Sequence, residues 1–481
     1  MKQKFISNLI FLIFLNLLIK PLWIFGIERT IQNTLGSQEY GLYFALFNYS
    51  LLFDIILDLG ISNFNNKNIS QNNKILSKHF SAIIILKLIL AAGYFIVTLS
   101  TAFIVGYRSE LFIFLLLLAG NRFMLSLILY FRSNIAGLQM FRTDSIISIL
   151  DKMLVIIFCG LLLSKYSPFG VFKIEMLVYS QGLAYLITLL FAGIIITGKT
   201  GFLRPKFDFV FMIAIIKKIL PFAVLFLLMT SYTRIDAVMI ERILPDGNMK
   251  AGIYAQGYRI LDAFVILGFL FAGLLLPMFS KMLKNKENIA ELTKISFFLL
   301  LIPITIISIS LSYFSKEIIS LLYIEHTEIS FPVFRILILC LIPISISYIF
   351  GTLLTADAKL KHLNRTAFLC LVINIVLNFI FIPIYGIIAA AYSVLITQSF
   401  SAAVQFFLVY KIFDFRFSLK EIIKSVIVPV FTLLCLYISD IFIAEKLYSL
   451  FVSILLSSIL ALLSGIVDIK DLIKISSLKN I

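Results

Sequence analysis

Long apolar runs separated by short polar connections set the pattern of the whole chain. Fourteen runs stand out, at residues 5–26, 41–62, 80–106, 111–131, 143–164, 175–197, 220–243, 251–278, 295–314, 331–354, 366–384, 387–410, 425–443 and 447–466. A helix needs ~20 residues to cross the ~30 Å hydrocarbon core of a bilayer. Each run is therefore long enough for one crossing, and no connection has room for a soluble domain. The fold class that follows is an all-α polytopic membrane protein with about 14 transmembrane helices, numbered below as spans 1–14. The first run follows a basic start, as in a signal peptide, but it lacks a small-residue cleavage site and another span follows it, so it is retained as span 1. Pro21 and Gly26 favour a kink or break at its end.

Polar residues inside these runs carry the functional signal. The stretch Ser231 to Asp262 places Arg234, Asp236, Arg259 and Asp262 within spans 7 and 8, although a central charge costs roughly 2.5–3.5 kcal/mol even on the lenient insertion scale. Tyr254, Tyr258 and Asp262 recur at i, i+4 and i+8 and so line one helical face, with Arg259 one turn from Asp262. Such a face turns toward other helices or a wet path rather than lipid, which makes a transport path the working hypothesis. Arg122 lies near the middle of span 4, too deep to reach an interface, whereas Lys87 in span 3 is expected to snorkel to the inner one. Asp54 and Asp58 share a face of span 2 and read as partners of neighbouring polar groups or, for Asp58, as a residue of the inner boundary. Asp151 and Lys152 are adjacent, do not share a helical face, and are each expected to need a separate partner.

Composition agrees with the pattern. The 481 residues are 61% hydrophobic and 14% charged with a mean hydropathy of +1.06, outside the soluble globular range. A net charge of +16 could suggest nucleic acid, but its distribution points elsewhere. With the N-terminus inside, one set of alternating connections holds 26 Lys and Arg residues and the other holds 8. This asymmetry fits an even number of spans with both termini cytoplasmic. Cys159, Cys340, Cys370 and Cys435 all fall in apolar runs and read as packing residues, and the three histidines stand apart without ligand spacing, so neither a metal nor a cofactor is indicated. GIIITGKT, Gly193 to Thr200, matches the nucleotide-binding G-x4-G-K-[ST] pattern only formally. That motif needs a buried strand before it and a helix after it, whereas these residues finish a membrane helix.

The chain also reads as duplicated. GSQEYGLY (36–43) and GNMKAGIY (247–254) share their spacing, and Arg142-Thr143 opens span 5 as Arg365-Thr366 opens span 11. Six is an even number, so two blocks of six spans enter the membrane in the same orientation, as parallel repeats. The expected organisation is an N-terminal lobe at 1–198, a basic cytoplasmic linker at 199–219, a C-terminal lobe at 220–412, and spans 13 and 14 with a cytoplasmic tail at 413–481.

LGSQEYGLY (35–43), DLG (58–60), RID (234–236), GIYAQGYRI (252–260), LLP (275–277) and NIVLNFIFIPIYGIIAAA (374–391) resemble the polysaccharide-transporter branch, the Wzx-type repeat-unit flippases, of the multidrug/oligosaccharidyl-lipid/polysaccharide (MOP) exporter superfamily. The resemblance covers nearly the whole chain. It implies a V-shaped pair of six-helix lobes with alternating access, and a cargo of oligosaccharide on undecaprenyl pyrophosphate, flipped across the bacterial inner membrane for O-antigen or capsule synthesis. It further implies membrane lipid, a polysaccharide polymerase and a chain-length regulator as partners, and no nucleic acid. Multidrug and cation antiporters of a neighbouring branch use an acid in span 1, and this span 1 has none.

The chemistry of the interior points the same way. A pyrophosphate moving through low dielectric needs cations that offset its dehydration, and arginine offers planar, permanently charged donors for phosphate oxygens. Arg122, Arg234 and Arg259 are the candidate cations, and Tyr232, Tyr254 and Tyr258 are candidate platforms for sugar rings. Two readings stand for the arginines: they meet the cargo, or they neutralise Asp236, Asp262 and other buried acids. The expected function is a lipid-linked oligosaccharide flippase, with a multidrug/cation antiporter or a peptidoglycan lipid-precursor flippase as alternatives. An enzyme such as a polymerase or acyltransferase would need a large outer loop or a His-Asp pair, which the sequence lacks.

Overall fold

The computed structural model describes residues 18–19, 21–72, 74–164, 170–200 and 207–463. Most of span 1, residues 201–206 of the basic linker and the C-terminal tail lie outside this set, together with Lys20 and Lys206. The helices are α1 (Arg29–Leu52), α2 (Ile61–Gln71), α3 (Lys74–Val105), α4 (Ser109–Gly137), α5 (Phe141–Leu163), α6 (Ile174–Thr200), α7 (Phe209–Ile243), α8 (Gly247–Lys284), α9 (Ala290–Tyr313), α10 (Ser315–Leu322), α11 (Thr327–Leu339), α12 (Leu341–Ala356), α13 (Leu360–Tyr385), α14 (Ile387–Phe413), α15 (Leu419–Phe442) and α16 (Lys446–Leu463). Among the described residues, twelve segments are long and apolar enough to cross a membrane, and a bent pair, Leu22–Leu52 with Asp54–Ser70, makes a thirteenth. Spans 2–14 are thus all present.

Breaks fall where backbone chemistry demands them. Span 10 is divided into α11 and α12 at Cys340, because Pro343 has no N–H to donate to Leu339 and the helical ladder is interrupted there. After Pro21 the chain widens into a π-helix, Leu22–Glu28, and continues as α1. The sharp departure from helical geometry comes later than Pro21 and Gly26, at Gly36, whose φ of 73° suits glycine. Gly193 to Thr200 is continuous helix in α6, which leaves no phosphate-cradling loop in that motif.

Packing divides the chain into two compact units, Met1–Gly252 and Ile253–Ile481. The division lies inside α8, later than the linker that separates the two sequence repeats, because α7 packs in the first unit, against α1. At the end of α7, Arg242 makes a double hydrogen bond to Glu241 (2.7 and 3.0 Å), donates to the Gly106 carbonyl (3.3 Å) and lies 3.6 Å from the centre of the Tyr107 ring. Tyr107 in turn donates its hydroxyl to Glu241.

Gly41 and Gly252, one from each glycine motif, meet within the first unit. A Cβ on Gly41 would strike the Asn248 carbonyl and the Gly252 nitrogen, and one on Gly252 would strike the Ser37 carbonyl. Gly41 corresponds to Gly252 in the repeat, and Ser37 to Asn248, so the contact is reciprocal, as expected where two copies of one motif pack about a local two-fold. In the second unit, α15 and α16 pack on each other and on α9, with Ile302, Ile306, Val428 and Ala461 in the shared core. Lys294 on α9 pairs with Glu421 at 2.9 Å, and Ser418 forms a capping box with the same Glu421. The four cysteines are buried with free thiols.

Candidate functional site

The most elaborate polar site in the first unit surrounds a break in span 2. Between α1 and α2 the backbone tightens into a 3₁₀ turn, Asp54–Leu57, and then passes through positive φ at Leu59 and Gly60. A break inside a span leaves carbonyls that lipid cannot satisfy. Lys87 on α3 takes them: its ammonium bonds the Leu57 carbonyl (3.1 Å), Asp58 (2.7 Å), and both the carbonyl (3.3 Å) and the hydroxyl (2.8 Å) of Ser126. Ser126 also donates to Leu57, and Asp58 accepts from the Ser62 amide and hydroxyl. Lys87 is 1% exposed, so the expectation that it snorkels to an interface is corrected. The break supplies a carboxylate and a carbonyl, Ser126 on α4 supplies a second carbonyl and a hydroxyl, and the three-donor ammonium is used in place. Asp58 accordingly bonds neighbouring polar groups, one of its two expected roles.

Arg122 is held quite differently. It is half-buried on α4, its guanidinium 4.4 Å from the centre of the Phe47 ring on α1, an arrangement stabilised by the ring quadrupole. Its charge acts on Asp54, on Tyr94 of α3 and on Tyr185 of α6. Among the described residues it makes no hydrogen bond and no ion pair within 4.0 Å. Asp54 is thus one acid within electrostatic reach of Arg122, and sequence proximity could not reveal it.

Around Arg122 the helices are pinned by polar contacts. Asn121 donates to the Val178 carbonyl at 3.0 Å and Gln181 donates to the Tyr43 hydroxyl at 2.9 Å, joining α4 and α1 to α6. Tyr94 donates to the Ser50 carbonyl at 2.9 Å. Asp151 is buried and acts electrostatically on Tyr185. Its neighbour Lys152 folds back to both Asp151 oxygens at 3.3 Å and to the Ser148 carbonyl. This corrects the expectation of separate partners: adjacent Cβ atoms diverge, but a four-carbon side chain can return along the helix. Gln181 and Tyr185 were missed by the sequence reading. Their signal was a polar and an aromatic residue four apart within an apolar run.

The remaining candidates divide between the units. Tyr232, Arg234 and Asp236 belong to α7 in the first unit, with Asp236 1% exposed, Tyr232 buried and Arg234 half-buried. Tyr254, Tyr258, Arg259 and Asp262 lie on α8 in the second. Tyr254 and Tyr258 share a face, their rings 5.5 Å apart, and Arg259 pairs with Asp262 at 3.7 Å. Tyr254 is 0% exposed and Arg259 8%, so in this conformation both are inside the packing. Among the described residues no three His, Cys, Asp or Glu side chains converge as metal ligands.

Comparison with known proteins puts this architecture in context. No curated protein sequence matches the chain. Lipid II flippase MurJ in an inward closed conformation is 17% identical and superposes with a TM-score of 0.71, covering 95% of this chain and 97% of that one. A multidrug resistance MATE family transporter of the MOP superfamily, inward-facing, gives 16% identity, a TM-score of 0.63, and 83% and 98% coverage. A MOP superfamily transporter from Pyrococcus furiosus gives 14%, 0.59, and 85% and 94%. At these identities the likeness establishes the fold. Residues 5–283, more than half of the chain, match the family model described as polysaccharide biosynthesis protein. The chain therefore belongs to the polysaccharide biosynthesis protein family and is built on the fold of the MOP exporters.

Proposed function

We propose that the protein is a flippase that moves an undecaprenyl-pyrophosphate-linked oligosaccharide repeat unit from the cytoplasmic to the outer leaflet of the bacterial inner membrane by alternating access, for O-antigen or capsule synthesis. Both termini face the cytoplasm, the chain carries out no catalysis, and a polysaccharide polymerase and chain-length regulator act on the delivered unit. The observation that carries the reading is Arg122. A guanidinium with its donors uncommitted, inside a membrane unit of a polysaccharide biosynthesis family member, suits phosphate oxygens arriving from outside the fold. Arg234 and Arg259 are further candidate cations along the path, and Asp236 and Asp262 set their charge. Tyr232, Tyr254 and Tyr258 are candidate sugar contacts that need a conformation in which they are uncovered.

The test is the fate of the lipid-linked intermediate. A clean deletion should leave its synthesis intact while the oligosaccharide stays on the cytoplasmic side, measured by lipid extraction and a sidedness assay. Normal surface polysaccharide in that strain, with no substitute flippase active, would defeat the proposal. In reconstituted vesicles, movement of lipid II in preference to lipid-linked oligosaccharide would assign the cargo to the peptidoglycan alternative.

A further inference from the structure

A second arginine stands in a membrane span with most of its donors uncommitted, and it lies on the surface. Arg335 is the ninth residue of the span Thr327–Ala356, about 12 Å along it at 1.5 Å per residue, and is exposed. It donates through Nε to the Ser315 hydroxyl at 3.2 Å, and Ser312 donates its hydroxyl to the Arg335 carbonyl at 3.0 Å. Ser315 opens α10 directly after the span-forming helix α9 ends at Tyr313. The guanidinium is thus held at the end of one span while its own helix continues into the membrane, which is the depth of the headgroup region.

The surroundings suit a lipid. Among the described residues Arg335 has no carboxylate within ion-pair distance and only the Ser315 hydroxyl as acceptor, so the four N–H groups on its terminal nitrogens are uncommitted. Its guanidinium carbon lies 5.6 Å from the centre of the Phe331 ring, and the Lys316 ammonium lies 5.8 Å from the same ring. Glu328 pairs with Lys316 at 3.2 Å, both groups exposed, which moderates the local charge without reaching Arg335. Glu317, next along α10, acts instead on Tyr313 and Lys446.

We propose that Arg335 and Lys316, both of which lie over the Phe331 ring, bind the phosphate of a membrane phospholipid at one membrane–water interface of the second unit. The arginine fork takes two phosphate oxygens and the lysine supplies a second charge, while the lipid chains run inward beside the rest of the span. The proposal stands whatever cargo the protein carries.

The test uses the purified full-length protein in detergent, with native mass spectrometry reading bound lipid as phosphatidylglycerol, or diacylglycerol of the same chains, is added. The parent should retain phosphatidylglycerol and not diacylglycerol. Arg335→Gln should weaken retention roughly fivefold, Lys316→Gln by less because Glu328 already engages it, and Arg335→Lys by an intermediate amount. Inorganic phosphate at millimolar concentration should not displace the lipid, since it lacks the chains. Equal retention of phosphatidylglycerol by parent and Arg335→Gln protein would overturn the proposal, as would equal retention of diacylglycerol by the parent. Full displacement by inorganic phosphate would overturn the lipid and leave a free-phosphate site. Should Arg335→Gln lower the folded yield, the exposed Lys316→Gln variant carries the comparison: unchanged retention in it, together with unchanged retention in Arg335→Lys, counts against the site.

Discussion

Lys87 and Arg122 are both cations inside the same unit, and they are used in opposite ways. The Lys87 ammonium has four oxygen partners within 3.3 Å, one of them a carboxylate, and is 1% exposed. Arg122 is half-buried, rests on a ring and senses Asp54 at longer range. A buried charge whose donors are all taken is a structural bond. One with uncommitted donors is available to a ligand that can offset its desolvation. Charge and depth alone, which are what a sequence displays, do not separate the two cases.

The largest effect expected from breaking this comparison is on the saturated side. Lys87→Met leaves Asp58 and two carbonyls uncompensated, a loss of about 3–5 kcal/mol, and folded yield by size-exclusion of a fluorescent fusion should collapse. Lys87→Met with Asp58→Asn should recover part of it, because no unpaired charge then remains. A single variant as abundant as the parent would show that the knot contributes nothing.

The glycine contact comes next. Gly41→Ala and Gly252→Ala each place a methyl group against backbone, at a cost of about 1–3 kcal/mol, whereas Gly120→Ala, whose added carbon meets nothing within 4 Å on the same helix as Arg122, should be neutral. Equal melting temperatures for Gly41→Ala and Gly120→Ala would refute the close reciprocal packing.

The Arg259–Asp262 pair lies between the extremes and sharpens the comparison. Arg259 is 8% exposed, so removing one partner of this 3.7 Å pair leaves a largely buried charge uncompensated; Arg259→Gln and Asp262→Asn should each lower stability, and the double should restore part of it. Restored transport in the double as well would place Arg259 with Lys87, as a partner of an acid. A persistent transport defect in a stable double would place it with Arg122.

These contrasts mark what the sequence could and could not show. Hydrophobic periodicity revealed the spans, because length in a bilayer is a one-dimensional property, and spacing revealed the glycine echo. The partners of Lys87 come from a turn around Asp58 and from Ser126, separated from it by 29 and 39 positions, which no local pattern displays. Arg122 was recognised as deep, yet Asp54, an acid within its electrostatic reach, comes from another span. The face of α8 was read correctly from i, i+4 spacing, since that relation is local. That Tyr254 is enclosed follows from packing with elements distant in sequence, which periodicity does not encode.

The smallest expected effect on the fold, and the most informative about function, belongs to Arg122. Arg122→Gln breaks no hydrogen bond and no close ion pair among the described residues but gives up the Phe47 contact, so stability should fall by about 1 kcal/mol or less, and membrane abundance should stay close to the parent's. Transport should fall. Losing one charge-assisted contact to a phosphate is worth about 1.5–3 kcal/mol, roughly a tenfold to hundredfold drop in the rate of surface-polysaccharide delivery. Arg122→Lys should recover part of it, returning the charge without the planar fork. Asp54 supplies the decisive control. If Arg122 serves only to balance Asp54, then Arg122→Gln with Asp54→Asn should transport normally, because the uncompensated carboxylate is gone. If Arg122 meets the cargo, the double should remain as impaired as Arg122→Gln alone, since neutralising the acid cannot replace a cation that the pyrophosphate needs. Normal transport by an abundant Arg122→Gln protein would remove the arginine from the cargo path altogether.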